Sequence, residues 1–197
     1  MGKPEGCVIL DLCGGSGSWS RPYVETGYRV VLVDPNPSPD VFGYDVVPLS
    51  VRDFDPRTVG ETIHGVLAAP PCTEFSGSGA RWWKHKSPAL LEEAIAVVES
   101  CLSIINEVSP RWWCLENPVG RLPDFIGPWV ETFQPWEFGD PYTKRTCLWG
   151  SYKSLVKSPV EPTEGGKIWR MPPSPDRARL RSLTPPGFAK AFFEANP

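Results

Sequence analysis

The residues best suited to chemistry fall in three short runs of a 197-residue chain. The middle run, Ala69-Pro70-Pro71-Cys72-Thr73-Glu74-Phe75-Ser76, hangs a cysteine just beyond an apolar stretch that reads as a strand. A thiol there is available as a nucleophile, because strand ends in an α/β sheet open on a ligand crevice and not on a core. Upstream, Asp11-Leu12-Cys13-Gly14-Gly15-Ser16-Gly17-Ser18-Trp19-Ser20 joins another strand to a helix through a glycine-rich turn. Downstream, a further strand ends in Glu116-Asn117-Pro118 and supplies a carboxylate. The chain order is therefore cofactor cradle, thiol, carboxylate.

Glycines at a first strand-to-helix turn let a cofactor approach the backbone closely. The run Gly15-x-Gly17-x-x-Ser20 lacks the last glycine of a dinucleotide fingerprint, and a lone Gly-x-Gly carries little weight. Asp11 at the strand end would repel a pyrophosphate and attract a cationic or amine-bearing group. S-adenosylmethionine, with an amino-acid group and a sulfonium, suits such a turn better. Asp34 ends the second strand and is placed to accept hydrogen bonds from ribose hydroxyls. Asp53 follows the third and is placed to meet an adenine amino group. The competing role for both is that of an aspartate shaping its own turn.

The elements that must position these groups are legible as apolar runs. Cys7 to Leu12, Arg29 to Val33, Val46 to Val51, His64 to Ala69 and Arg111 to Leu115 read as strands buried on both faces, since they are continuous and not alternating. The clearest helix opens at Ser87-Pro88, an N-cap followed by proline at the first helical position, and runs to about Val108. Within it Leu91, Ala94, Ile95, Val98, Cys101, Leu102 and Ile105 keep helical spacing along one stripe. Alternating strands and helices predict a doubly wound, Rossmann-like α/β fold. Prolines cluster at Pro35 to Pro39 and from Pro159 to Pro186, and the second cluster predicts irregular structure.

Length and composition predict one domain spanning residues 1–197. The hydrophobic fraction is 41%, no run is long and apolar enough to span a membrane, and the first residues lack the apolar run of a secretory signal. A cytoplasmic protein is the expectation. Cys7, Cys13, Cys101 and Cys114 read as reduced core fillers. No Cys-x-x-Cys pair occurs and the histidines are His64 and His85, so no metal site is expected. The net charge of −3 is not the footprint of a protein that holds long nucleic acid by charge alone. Residues 151–197, however, carry eight Lys or Arg against four Asp or Glu.

These motifs, in this order and spacing, resemble a cytosine-C5 methyltransferase of the DNA methyltransferase type. Asp11 to Ser20 resembles that family's first cofactor motif. Pro70-Pro71-Cys72-x-x-Phe75-Ser76 resembles its nucleophile motif and Glu116-Asn117 its catalytic glutamate motif. The match runs from about residue 7 to residue 150, with an echo at Thr184-Pro185-Pro186-Gly187-Phe188-Ala189 of the closing motif that packs beside the cofactor. The resemblance implies a Rossmann-like methyltransferase fold and S-adenosylmethionine as methyl donor. Asp11, Leu12, Cys13, Gly14, Gly15, Gly17, Ser18, Trp19, Asp34, Pro35, Asp53 and Pro70 would border the cofactor. It further implies that the Cys72 thiolate adds to C6 of cytosine so that C5 takes the methyl group. Glu116, as the protonated acid, would bond the N3 edge of the ring, which requires a raised pKa in a dry pocket. Pro71, Phe75, Ser76, Asn117, Pro118, Thr143 and Lys144 would border the base.

The pattern departs from the family in three places. Pro118 stands where valine is usual. The family's arginine pair near the pyrimidine is degraded to Thr143-Lys144-Arg145-Thr146-Cys147, with Arg145 the match to the first arginine, a catalytic cation that would hold the base carbonyl or act beside Cys72 or else form a surface ion pair, and Cys147 in place of the second. Only about residues 151–183 are available where a target-recognition region would be inserted, so specificity is short, supplied by a partner subunit, or absent. Arg81, Trp82, Trp83, Lys84, His85 and Lys86 follow the nucleophile loop and offer stacking and phosphate contacts, with Arg81 and Lys84 the expected phosphate ligands. The same residues would equally serve as a solvated approach to the next helix.

Cytosine in DNA is the leading substrate, in a compact phage or prokaryotic type of enzyme. The same chemistry on a free cytosine nucleotide or on RNA, and a non-catalytic cofactor-binding subunit, are the alternatives.

Overall fold

A computed structural model describes residues 6–197. The strands are β1 (Cys7–Leu12), β2 (Arg29–Val33), β3 (Asp45–Val47), β4 (Thr62–Ala68), β5 (Trp112–Pro118), β6 (Glu131–Phe133) and β7 (Thr146–Ser151). The helices are α1 (Arg21–Glu25), α2 (Pro88–Val108), α3 (Pro123–Ile126), α4 (Lys167–Arg170), α5 (Arg177–Ser182) and α6 (Pro186–Ala195), with 3₁₀ turns at Pro56–Val59, Gly77–His85 and Pro135–Phe138. All seven strands join one sheet in the order β3-β2-β1-β4-β5-β7-β6. β1 to β5 run parallel to their neighbours, and β7 is reversed against both β5 and β6. The strand order turns back between β1 and β4, and at such a switch point the loops leaving two adjacent strands diverge and open a crevice.

Each face of the sheet carries its own core. Val8, Leu10, Leu12, Val31, Val33, Val66, Ala68 and Leu115 face α2, whose Val98, Cys101, Ile104 and Ile105 are buried against them. Leu91, Ala94, Ile95 and Leu102 of the expected stripe pack against the edge of that cluster. α2 starts as its sequence predicts, with Ser87 extended at the N-cap and Pro88 in the first turn. It stops at Ser109, which takes a left-handed conformation (φ 45°). On the other face Ile9, Leu67, Cys114 and Leu148 meet Trp19, Tyr23, Phe188 and Phe192. Phe188 and Phe192 are completely buried, and each contributes about 1.5–3 kcal/mol by leaving water.

Three features differ from the sequence expectation. The third strand, expected over Val46 to Val51, is confined to Asp45–Val47, because Pro48 cannot donate to the ladder. β6 and β7 were not expected. β7 is held by its pairing with β5, from Pro118 opposite Thr146 to Trp113 opposite Ser151. The proline-rich segment, expected to be irregular throughout, contains the short helices α4 and α5.

Candidate active site

Two loops meet at the switch point. The turn after β1 is folded around Asp11, whose side chain is 1% exposed and accepts a hydrogen bond from the Ser20 hydroxyl. A Cβ on Gly14 would fall 2.6 Å from the Asp11 carboxyl carbon, so only glycine lets the backbone cross so closely. Gly15 and Gly17 adopt positive φ, 49° and 65°. The Gly15 amide donates to Asp34 Oδ2 at 3.0 Å, and Asp34 Oδ1 accepts the Asn36 amide at 2.8 Å. Tyr44 closes the far side, donating its hydroxyl to the Gly17 carbonyl at 2.8 Å.

This packing sorts the expected cofactor residues. Cys13, Gly14, Gly15, Ser18 and Asp34 are partly exposed at the strand ends, and Pro35 and Asp53 are exposed. Asp11 is more enclosed than expected: burial raises its carboxyl pKa to about 7, nearby Asp34 adds to that, and the side chain supports the turn from beneath through its bond to Ser20. Leu12 and Trp19 are core residues, the latter against Phe188 at 5.7 Å and Phe192 at 5.4 Å between ring centres. Ser18 accepts the Thr184 amide at 2.9 Å and so ties the turn to the segment that opens α6. Asp53 lies in a turn beyond β3, its amide bonded to the Ser50 carbonyl at 2.9 Å.

The nucleophile loop leaves β4 and is locked to the exit of β5. The Asn117 amide donates to the Pro70 carbonyl at 2.9 Å. Gly77 N–H donates to Val119 O at 2.8 Å and Arg121 N–H to Phe75 O at 3.0 Å, around a bridge between Ser76 and Gly120. A Cβ on Gly120 would stand 1.8 Å from the Phe75 carbonyl oxygen. Arg121 Nε also donates to the Glu74 carbonyl, and the Lys86 ammonium bonds the Thr73 carbonyl and the Glu74 carboxylate. Within the loop the Cys72 carbonyl accepts the amides of Phe75 and Ser76 at 3.0 and 2.8 Å. Phe75 and Asn117, expected at the base, are completely buried and hold the loop against the exit of β5. Pro70 is buried as well, while Pro71 is exposed and Ser76 and Pro118 are partly exposed.

Cys72 is partly buried, and its thiol is pushed up by burial and by the Glu116 charge, opposed by Lys144 and Arg181. Glu116 lies in a narrow crevice with Phe133, Lys144, Thr146, Thr184, Pro185 and Phe188. Burial raises the Glu116 carboxyl, and Lys144 pulls it back. Lys144 is thus the cation beside Glu116 in the crevice, and it also donates to the Leu183 carbonyl at 3.2 Å. Arg145, expected as the catalytic cation, is exposed at the mouth of β7, where its carbonyl takes the Val119 amide. Consecutive residues of an extended chain point to opposite faces, which separates Lys144 from Arg145. Thr143 is partly exposed nearby, and Arg81 and Lys84 are exposed on the 3₁₀ turn after the loop. Arg181 and Phe133, which stacks on Phe188 at 3.8 Å to form the crevice wall, were not singled out by the sequence. The resemblance of Thr184 to Ala189 to the closing motif placed Phe188 beside the cofactor, and no signal marked Arg181 or Phe133.

No family model matches the chain. Among curated proteins it is similar to the type II methyltransferase M.DdeI of Desulfomicrobium norvegicum, at 26% identity over 126 aligned positions covering 58% of this chain. The chain spans 28% of that relative's length. Among solved structures it superposes on an Escherichia coli prophage-encoded protein assigned as a DNA modification methyltransferase. That match has a TM-score of 0.53 and 13% identity, over 73% of this chain and 46% of the other. Magnesium protoporphyrin IX methyltransferase from Synechocystis PCC 6803 superposes at a TM-score of 0.43 and 14% identity, over 76% of this chain and 71% of the other. The chain has the Rossmann-like methyltransferase fold and resembles a type II DNA methyltransferase in sequence.

Proposed function

We propose that the protein methylates C5 of cytosine in DNA through a covalent adduct between Cys72 and C6, with S-adenosylmethionine as donor. The observation that carries the reading is the pairing of Cys72 with Glu116, which the parallel neighbours β4 and β5 deliver to one end of the sheet, beside the glycine turn of β1. The turn fits that cofactor: its backbone is bare at Gly14 and Gly15, and Asp34 stands at the end of β2 with carboxylate lone pairs for ribose hydroxyls. When bound, S-adenosylmethionine supplies an electrophilic methyl group.

The chain's own residues account for the rest. A raised thiol pKa means that Cys72 rests protonated at neutral pH, so its proton must leave as sulfur attacks C6. Lys144 and Arg181 favour the thiolate at that moment. Glu116, whose carboxyl burial pushes toward the protonated form, donates from that form to N3 and draws off the negative charge that the new C–S bond pushes into the ring. C5 then carries the electron pair that takes the methyl group. Loss of the C5 proton returns that C–H pair to the C5–C6 bond, and the Cys72 thiolate leaves.

The test is incubation with methyl-labelled S-adenosylmethionine and either cytosine-containing DNA or deoxycytidine monophosphate, with Cys72→Ser as control. Label on C5 of DNA cytosine, abolished by Cys72→Ser, is expected. Label on the mononucleotide alone would move the function to precursor modification. No label on either, with the donor bound, would overturn the enzymatic reading.

A further inference from the structure

The segment between β7 and α6 carries Arg181, whose guanidinium is within electrostatic reach of the Cys72 thiol. Pro173, Ser174, Pro175, Arg177, Ala178 and Arg181 line an open groove there, and Arg181 acts electrostatically on Cys72. Among the described residues Lys167 and Arg179 are held by Glu164 and Asp176, whereas Arg177 and Arg181 form no ion pair. Arg177 Nε is buried with no hydrogen-bond acceptor, so its guanidinium is short of the partner that desolvation normally demands. An anion in the groove would supply one.

Aromatic platforms stand at two points outside the crevice. Trp169, in α4, is 61% exposed and carries the Arg170 guanidinium 4.8 Å from its ring centre. Trp82, on the 3₁₀ turn after the nucleophile loop, is 55% exposed and carries Arg81 at 5.2 Å. Trp83 differs, being partly buried beneath Arg121 at 4.6 Å. Exposed indoles flanked by guanidinium groups are what stacking on unpaired bases uses, whereas duplex binding draws mainly on many phosphate contacts. A chain of net charge −3 is poorly supplied for the second. Extracting a paired base costs a few kcal/mol, and residues 152–185 hold only the short helices α4 and α5 to offset it.

We propose that the protein takes its cytosine from an unpaired DNA strand, with Arg177 and Arg181 on the phosphates beside Cys72 and Trp169 and Trp82 stacking neighbouring bases. The inference rests on the cytosine-methylation reading for the identity of the reacting base, but binding tests it independently. Fluorescence anisotropy with one oligonucleotide sequence, single-stranded and as a duplex, should give at least tenfold tighter binding of the single strand. Trp169→Ala and Trp82→Ala should each weaken it by about 5- to 140-fold, the range that stacking energies of about 1–3 kcal/mol per base imply. Arg177→Gln with Arg181→Gln should flatten its salt dependence. Circular dichroism and S-adenosylmethionine binding verify that each variant is folded. Duplex binding as tight as single-strand binding, or tryptophan variants that bind like the parent, would overturn the proposal. Label transfer on the same oligonucleotides separates the two claims: methylation of duplex alone sinks this inference and leaves the chemistry standing. Tight single-strand binding without label does the reverse.

Discussion

Replacing Asp11 by asparagine should change how stability depends on pH more than it changes stability at low pH. In the fold the carboxyl titrates near 7, and the ordinary value is 3.8. Between those values the folded chain keeps a proton that the unfolded chain has lost, so this group's contribution falls as pH rises and is level above about 7. The interval of about three pH units corresponds to on the order of 4 kcal/mol at 1.36 kcal/mol per unit. About 3 kcal/mol of that lies between pH ~4.5 and ~7.5. Asparagine keeps an oxygen to accept the Ser20 hydroxyl and has no charge to bury, so Asp11→Asn should lack this decline. Urea unfolding of both proteins at several pH values, followed by tryptophan fluorescence, measures the difference directly. Unfolding free energies that stay a constant distance apart from pH ~4.5 to ~7.5 would refute the burial argument, because Asp11 would then be ionised in the fold throughout.

The nucleophile loop supports further predictions. Alkylation of Cys72 by iodoacetamide should accelerate steadily up to about pH 9 without levelling off, since burial and Glu116 raise its thiol. Glu116→Gln should move that profile to lower pH and Lys144→Met to higher pH, and profiles that do not move would show the groups to be uncoupled. Gly120→Ala drives a methyl into the Phe75 carbonyl, so it should cost at least about 1–3 kcal/mol in thermal or urea unfolding and at least about tenfold in Cys72-dependent activity. Asn117→Leu removes the bond to the Pro70 carbonyl and should cost about 1–3 kcal/mol in the same unfolding assays, with Cys72 becoming more accessible to alkylation.

The sheet was legible where burial on both faces leaves a continuous apolar run, as in Cys7–Leu12 and Arg29–Val33, and α2 was legible from its cap and stripe. β6 and β7 were not, because Glu131-Thr132-Phe133 is too short for a pattern and Thr146–Ser151 becomes a strand only through its pairing with β5. Within the site, Cys72 was read from its position just beyond one apolar strand and Glu116 from its position near the end of another. The exchange of Arg145 for Lys144 could not, since neighbours in an extended chain differ only in the face they point to, and register decides that. The enclosure of Asp11 was hidden for a related reason. A carboxylate at a strand end reads as open to a ligand until the next turn is seen to fold over it. Arg181 was hidden in a proline-rich segment whose path is set by tertiary contacts such as Lys144 to Leu183 and Ser18 to Thr184.

The central claim is that Cys72 bonds to C6 while C5 is methylated, and trapping that bond tests it most directly. Fluorine at C5 of cytosine cannot leave as a proton, so a methylated ring could not expel the thiolate. Incubation with S-adenosylmethionine and an oligonucleotide containing 5-fluorodeoxycytidine, offered both single-stranded and paired, should give a protein–DNA adduct stable to denaturation. Peptide mass spectrometry should place it on Cys72, one methyl group heavier than the simple addition product. Methylation of ordinary cytosine by a Cys72→Ser variant, or an active enzyme that leaves the fluorinated strand unbound after denaturation, would contradict the account.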